Sequence, residues 1–450
     1  MPKTIISKRG QKAWVVAVDM GYGHERAAYA LKELSQGNVI LANNYPGIPK
    51  HDRTLWEQSR TFYEQISRLK PTPIIGNILF EAMDKLQEIP EFYPRRDLSK
   101  PSIQLRQIYR LIRKHQYGKD LIDRLREKAL PFVSTFFLPA FFAEEFNYPG
   151  NIYCVICDAD MSRTWAGLDP RKSRIKFFAP NGRVVERLRL YGVRSENIFL
   201  TGFPLPKENI GSVASEVIKK DISTRLVNLD PHGYFRKRYE KSLQSHLGKN
   251  LNMLESHRPL TLTFAVGGAG AQKKIGIEIV KSLQEQIHRH EIIVQLALGI
   301  RKDIAQFFHQ ELKKFRFTQK EFQKYIRVLF FPNRKQYFRN FCEIIRKSDI
   351  LWTKPSELSF YTGLGLPIIM APPIGSQEDF NRFWLWQMGS GVDQLNPRYT
   401  NEWLFDWISS GGLARMAWNG FIEAPTHGAF RIEEVITNKK VLLEPPPFIV

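Results

Sequence analysis

The residues best suited to chemistry near the start of the chain are two glycines and a histidine. Gly21 and Gly23 precede His24 at the point where the apolar segment 15–18 gives way to a helical pattern. Glycine lets the backbone approach a ligand closely, and histidine titrates near neutral pH. We therefore predict that His24 is a catalytic base and that the glycines form a loop for a diphosphate or an acceptor hydroxyl. The alternative is a histidine that caps the helix or packs locally.

A carboxylate, Asp158, is the second candidate base. It follows the apolar segment 152–157, which has the length and composition of a buried strand. A carboxylate at the end of such a strand can accept a proton or bind an acceptor hydroxyl. The alternative is that Asp158 and Asp160 are loop carboxylates that cap the next segment.

A glycine-rich turn in the second half of the chain is suited to binding phosphate. Gly267, Gly268 and Gly270 lie between an apolar strand and a predicted helix, where backbone N–H groups can reach a pyrophosphate. Arg301 follows another strand and can add positive charge beside the phosphates. The alternative is a plain tight turn.

A polar region over residues 353–381 contains two predicted helix starts beside the ends of strands. Ser356 is predicted to cap the first helix, Glu357 lies in its first turn, and Gly365 closes it in the left-handed conformation. Backbone N–H groups at such helix starts favour a phosphate-bearing ligand.

Together, these segments resemble GT-B glycosyltransferases of the type found in monogalactosyldiacylglycerol synthase and the peptidoglycan lipid-intermediate N-acetylglucosaminyltransferase. The similar segments follow the family's order over most of the chain. They are Met20-Gly21-Tyr22-Gly23-His24, Thr201-Gly202-Phe203-Pro204, Val266-Gly267-Gly268-Ala269-Gly270, Thr353-Lys354-Pro355-Ser356, Gly365-Leu366-Pro367 and Gln377-Glu378-Asp379-Phe380-Asn381.

The resemblance implies an α/β fold of the GT-B class, in which two Rossmann-like domains with parallel sheets face a central cleft. It implies transfer of a hexose from a nucleoside-diphosphate sugar, UDP-linked, to a lipid or another acceptor, with inversion and without a metal ion or cofactor. The donor-binding residues that it implies, beside the glycine turn and Arg301, are Lys354, Ser356, Glu357, Gln377, Glu378 and Asn381.

Three positions depart from the family pattern. Met20 and Tyr22 stand where glycines are usual, and Phe360 stands where a glutamate usually holds the donor ribose. These departures keep open a non-catalytic binding protein of the same fold. A second alternative is a sugar-nucleotide epimerase of this fold, which would use the same donor site without an acceptor. Asp158 and Asp160 also match the Asp-x-Asp metal motif of a different glycosyltransferase architecture, but their place in the acceptor half argues against a metal.

Composition limits the partners that we expect. The net charge of +21 indicates an anionic partner, either a phosphorylated substrate or anionic lipid, and no zinc-finger or helix-turn-helix pattern points to nucleic acid. The three cysteines favour a reducing compartment, and we interpret Cys154 and Cys157 as buried structural residues. No apolar run is long enough to span a bilayer, so we expect a cytoplasmic protein, either soluble or bound to the membrane surface.

Alternating strand and helix patterns predict two domains. We place the acceptor-side domain at residues 1–205, with a helical, basic insertion, and a linker with helices at 206–256. The donor domain then covers 257–450. Within the insertion, residues 102–114 form a basic amphipathic helix. Its Arg106, Arg110 and Arg113 are predicted to contact an anionic membrane, and the alternative is a solvated face.

Overall fold

The computed structural model describes residues 11–58, 88–248, 258–267, 270, 272–440 and 443–450. It contains two sheets of six strands, and all of the strand pairs within them are parallel. The strands are β1 (Trp14–Ala17), β2 (Ile40–Leu41), β3 (Phe132–Ser134), β4 (Ile152–Val155), β5 (Lys176–Ala179), β6 (Ile198–Leu200), β7 (Leu260–Ala265), β8 (Ile292–Gly299), β9 (Ile326–Phe330), β10 (Ile350–Thr353), β11 (Ile368–Met370) and β12 (Gly391–Asp393).

The strands are short apolar runs, as expected for parallel sheets that are covered by helices on both faces. Every residue of β7, β8 and β10 is buried. Cys154 and Cys157 are both buried and belong to different core clusters, which confirms that they are structural residues pointing to opposite sides.

Helices occupy most of the remaining described chain. The α-helices are α1 (Gly23–Ala30), α2 (Ile103–His115), α3 (Lys119–Arg126), α4 (Phe137–Glu145), α5 (Gly182–Leu190), α6 (Lys207–Ile210), α7 (Glu216–Leu229), α8 (Tyr234–Arg238), α9 (Glu240–Leu247), α10 (Lys273–Ser282), α11 (Gln284–His288), α12 (Lys302–Leu312), α13 (Gln319–Lys324), α14 (Arg334–Lys347), α15 (Ser376–Gln387), α16 (Thr400–Ser409), α17 (Gly412–Glu423) and α18 (Gly428–Thr437). The 3₁₀ helices are Arg163–Ala166, Ser195–Asn197, Glu357–Leu364 and Pro397–Tyr399. Within the described residues, no helix is both long and apolar enough to cross a bilayer.

The chain passes between the two sheets twice. After β6 it enters α7, where Ile222 and Leu226 share a core with strand β7 of the second sheet. It returns at α18, where His427 pairs with Pro204 in an antiparallel bridge and Arg431 donates to the Thr201 carbonyl. These two crossings hold the domains side by side.

The order of the strands shows where ligands are expected to bind. The first sheet has the order β2-β1-β3-β4-β5-β6 and the second has the order β12-β11-β10-β7-β8-β9. The order therefore reverses between β1 and β3 in one sheet and between β7 and β10 in the other. Ligands of open parallel sheets bind beyond the carboxyl ends of the strands at such reversals. The topology confirms the predicted α/β class, two Rossmann-like domains of the GT-B type.

Candidate functional site

His24 lies at the strand-order reversal of the first sheet, between the ends of β1 and β3. Its Nδ1 lies 2.7 Å from the carbonyl oxygen of Thr135, so the N–H is on Nδ1 and the carbonyl accepts it. The Thr135 hydroxyl in turn donates to the His24 carbonyl at 2.8 Å. The imidazole is thus fixed in the tautomer whose Nε2 carries the lone pair, and this nitrogen can accept a proton.

The surroundings of His24 keep its imidazole neutral. Burial lowers its pKa from 6.5 to about 4, although the Thr135 carbonyl and the Glu357 carboxylate both act in the opposite direction. The ring packs edge-on against Phe136, with 4.8 Å between the ring centroids. At neutral pH the imidazole is therefore unprotonated, as a general base must be.

Asp158 follows β4 and faces the second domain. Burial, together with the nearby Glu357 and Glu378 carboxylates, raises the pKa of its carboxyl group to about 6. The carboxamide of Asn381 opposes this effect by donating to Asp158 Oδ1 at 2.9 Å. Glu357 raises the pKa of both His24 and Asp158 and therefore lies near both side chains.

Asp160 has a different environment from Asp158, despite the Asp-x-Asp spacing. Both of its carboxylate oxygens accept hydrogen bonds from Arg187 at 2.8 Å, and Oδ2 also accepts from Arg183 at 2.9 Å. Asp160 is almost completely buried within this ion-pair cluster. Its carboxylate is therefore occupied by two arginines and serves the packing of α5 against the loop after β4.

Glu357 reaches across the cleft to the first domain. Its Oε1 accepts a hydrogen bond from Arg26 Nε at 3.1 Å, and it lies so close to Gly23 that an added Cβ there would be 3.1 Å from Oε2. Ser356, immediately before it, takes the N-cap position of the 3₁₀ helix, but its side chain makes no capping hydrogen bond, so the prediction of a Ser356 cap is wrong. Gly365 ends this helix with φ +69°, as predicted.

Lys354 and Glu378 form an ion pair at the strand-order reversal of the second sheet. The lysine side chain lies over Gly267, where an added Cβ would be 3.0 Å from Lys354 Cε. Glu378 also accepts the Ile374 backbone N–H at 2.8 Å, which closes the loop before α15. A cation at the ends of β7 and β10 is where a phosphate-bearing ligand of this sheet would lie.

Asn381 makes contacts that its sequence position alone did not predict. Its Oδ1 accepts from the Ala159 N–H at 2.7 Å, and its Nδ2 donates to Asp158 and to the Pro355 carbonyl at 3.3 Å. The side chain is completely buried. In this arrangement the carboxamide joins the two domains, so it would have to exchange partners before it could bind a sugar hydroxyl.

The contacts of the remaining predicted residues are local. Gly21 has φ +94° and is exposed, and Gly270 packs on Ile304. Arg301 forms an ion pair with Asp303 at 2.7 Å. Gln377 follows Ser376 in the first turn of α15, and Gly268 lies outside the described residues.

Three residues at the domain interface were missed as site residues by sequence reasoning. Tyr22, noted in the sequence only as a departure from the family's glycine, accepts the Ile300 N–H at 3.0 Å through its hydroxyl oxygen, and burial raises its pKa to about 12. This contact requires Gly299, since an added Cβ there would be 2.2 Å from the hydroxyl. Arg26 pairs with Glu357, and Arg334 pairs with both Asp19 and Glu25. The one signal available in the sequence was Gly299 at the end of a strand. The partners of these side chains lie in the other domain, and the spacing of residues along the sequence does not indicate such contacts.

Comparisons with known proteins give the following similarities. A family model described as a domain of unknown function (DUF6938) matches residues 233–396. The comparison with curated proteins gives no match. The similar solved structures include UDP-GlcNAc 2-epimerase from Neisseria meningitidis bound to UDP-GlcNAc (12% identity, 95% of this chain and 100% of that chain covered, TM-score 0.46). They also include MurG from Acinetobacter baumannii (10% identity, 95% of this chain and 100% of that chain covered, TM-score 0.45). A third is HepE from Anabaena in complex with UDP and glucose (12% identity, 76% of this chain and 83% of that chain covered, TM-score 0.40).

Proposed function

We propose that this protein is a glycosyltransferase that moves a hexose from a UDP-linked sugar to a lipid or another acceptor, with inversion and without a metal ion. The observation that carries this proposal is the geometry of His24. Its Nδ1 is fixed by Thr135, and its ring is neutral at the strand-order reversal facing the donor-side loops. A fixed, unprotonated imidazole at this position is suited to removing a proton from an acceptor hydroxyl.

The proposed reaction is a single displacement. The acceptor hydroxyl gives its proton to His24 Nε2 while its oxygen forms a bond to the anomeric carbon of the sugar. The bond between that carbon and the diphosphate oxygen breaks, and the electron pair leaves with UDP. Lys354 and the backbone N–H groups of the loops after β7 and β10 would stabilise the charge that develops on the departing diphosphate.

Donor binding also explains the cation at the second reversal. Lys354 is paired with Glu378, and the pair is mostly buried. A diphosphate entering beside Gly267 would offer the ammonium group a more highly charged partner. Glu378 would then be available to the sugar, where its carboxylate could accept hydrogen bonds from the hydroxyl groups.

UDP binding tests this assignment. We expect the wild-type protein to bind UDP in calorimetry and Lys354→Met to bind it about 10–100-fold more weakly, because a charge-assisted hydrogen bond contributes about 1.5–3 kcal/mol. Lys281→Met, at an exposed lysine on α10, is the matched control and should bind normally. The unfolding temperature without nucleotide checks the fold of each variant. Absence of UDP binding by the wild type, or equal affinity in Lys354→Met, would contradict a donor site here.

The acceptor side of the proposal includes contact with an anionic membrane through α2. Ser102 caps this helix by accepting the Leu105 N–H, and Leu105, Tyr109 and Ile112 pack into the first domain. Arg106 and Arg110 are exposed, whereas Arg113 makes a two-point ion pair with Glu145. Exposed arginines on one helix would attract anionic lipid headgroups.

Vesicle sedimentation tests the membrane contact. We expect the protein to sediment with anionic vesicles, and the triple change of Arg106, Arg110 and Arg113 to glutamine to weaken this strongly, since each basic residue near the surface contributes about 1 kcal/mol. The control carries the same charge change at exposed positions of the second domain, Lys313, Arg316 and Lys320. An equal loss of vesicle binding in both triple variants would indicate a general effect of net charge and would contradict a specific role for α2.

A further inference from the structure

The proline-rich segment 443–450 crosses the rim of the cleft after α18. Its backbone is held near its start by Arg431, whose Nη2 donates to the Glu444 carbonyl at 2.8 Å. Further on, the Ile449 carbonyl accepts the Arg183 backbone N–H at 2.9 Å. Beyond this, Gln387 Nε2 lies 3.4 Å from the Val450 carbonyl. The segment thus contacts α18, the first turn of α5 in the first domain and the last residue of α15 in the second domain.

The seat of this segment on α5 depends on Gly182. A Cβ at position 182 would lie 2.8 Å from the Ile449 oxygen and 3.1 Å from its nitrogen, so the backbone of the segment would have to shift to make room for it. Gly182 is the first residue of α5 and does not have a positive φ. The helix itself therefore accepts alanine at this position, and only the contact with the segment excludes it.

Hydrogen bonds of Asn181 and Ala159 link this contact at Gly182 to the contact between the domains. Asn181 caps α5 by accepting the Val184 N–H, and its Nδ2 donates to the Ala159 carbonyl at 3.0 Å. The Ala159 N–H in turn donates to Asn381 of the second domain. The Arg183 side chain, two residues after Asn181, donates to the carboxylate of Asp160, which directly follows Ala159. A shift of the first turn of α5 would therefore move the loop that carries Asp158 and Ala159.

The segment is stiff and only loosely attached, as a releasable element must be. Pro445, Pro446 and Pro447 restrict the backbone to extended conformations and lack N–H groups, so little entropy is lost on docking. Phe448 is 53% exposed, and Ile449 is only partly buried against the core. Elements with few buried contacts and exposed hydrogen bonds open at low free-energy cost.

We propose that residues 443–450 form a strap that stabilises the closed arrangement of the two domains by bracing the first turn of α5. When the strap is docked, Asn181 holds the Ala159 loop in place to donate to Asn381. When the strap is released, this contact between the domains weakens. The proposal concerns the fold alone and is independent of which reaction the cleft carries out.

Hydrogen exchange at single-amide resolution tests the strap in the full-length protein. We expect Gly182→Ala to speed exchange of the Arg183 amide, which loses its Ile449 acceptor, and of the Ala159 amide, which donates to Asn381, by about ten-fold or more. A variant lacking residues 443–450 should show the same pattern without any change in α5. Phe448→Ser is the matched control, because it alters an exposed side chain and leaves the Ile449 backbone in place.

The outcomes separate the parts of the proposal. Faster exchange at both amides, in both Gly182→Ala and the shortened variant, supports the strap. Unchanged exchange at Arg183 in the shortened variant would show that the segment is not docked in solution. Faster exchange at Arg183 with unchanged exchange at Ala159 would show that the docked segment does not brace the domains. Either of these results would overturn the proposal.

Discussion

Replacing His24 by alanine is expected to lower kcat by about 10²–10⁴-fold, the usual contribution of a positioned general base. UDP affinity should change only a few-fold, because His24 belongs to the first domain and the donor loops belong to the second. His24→Gln is the matched variant, since its side chain is closer in size to histidine than alanine is but cannot act as a base. Steady-state kinetics and UDP calorimetry on both variants measure the two effects. Normal turnover by His24→Gln would show that only the packing of this position matters.

The pH dependence of the wild-type enzyme identifies the base independently. With His24 as the base, kcat/KM should fall as the pH drops through about 4, where the buried imidazole becomes protonated. A fall centred near pH 6 would instead indicate Asp158, whose pKa burial raises to about 6. Burial of His24 also predicts that the free energy of unfolding falls as the pH drops from 6.5 to about 4, because in that range only the unfolded chain protonates this imidazole.

Replacing Arg26 by leucine is expected to lower the free energy of unfolding by about 3–5 kcal/mol, because it leaves a buried carboxylate without its partner. The Arg26 side chain is 2% exposed, and besides Glu357 it donates to the Tyr337 hydroxyl at 2.9 Å. Its guanidinium also lies 4.2 Å from the centroid of the Phe341 ring. Urea unfolding measures the change.

The double variant Arg26→Leu with Glu357→Leu isolates the ion pair. Removing both charges leaves no buried carboxylate unpaired, so most of the stability lost in the single variant should return. A single variant that loses less than about 1 kcal/mol, within the range of exposed pairs, would contradict a buried ion pair between the domains.

The fold was largely predictable because parallel strands are continuous apolar runs. The apolar segments 15–18 and 152–157 have the composition of buried strands, and the structure places β1 and β4 there. The edge strands β2 and β12 were missed, since β2 has only two residues and β12, with the sequence Gly391-Val392-Asp393, is not an apolar run. Their pairing at the sheet edges depends on neighbouring strands, which local sequence does not specify.

From the sequence, only those parts of the candidate site that form within a single domain were predictable. The positions of His24 and Asp158 beyond the ends of strands were predictable because polar residues that follow parallel strands meet at the same edge of a sheet. The Tyr22 contact with Ile300 and the Asn381 contacts with Asp158 and Ala159 join residues more than 200 positions apart. Such contacts depend on how two separately folded domains dock, and neither motif nor periodicity records that geometry.

The most direct test of sugar transfer is an NMR measurement of the wild-type protein mixed with UDP-hexoses and a membrane lipid extract. We predict that one donor loses its anomeric signal while free UDP and a new anomeric signal of opposite configuration appear, and that His24→Gln produces neither. Conversion of the donor to its epimer without release of UDP would contradict transfer and indicate an epimerase. UDP binding with every donor left intact would indicate a binding protein instead.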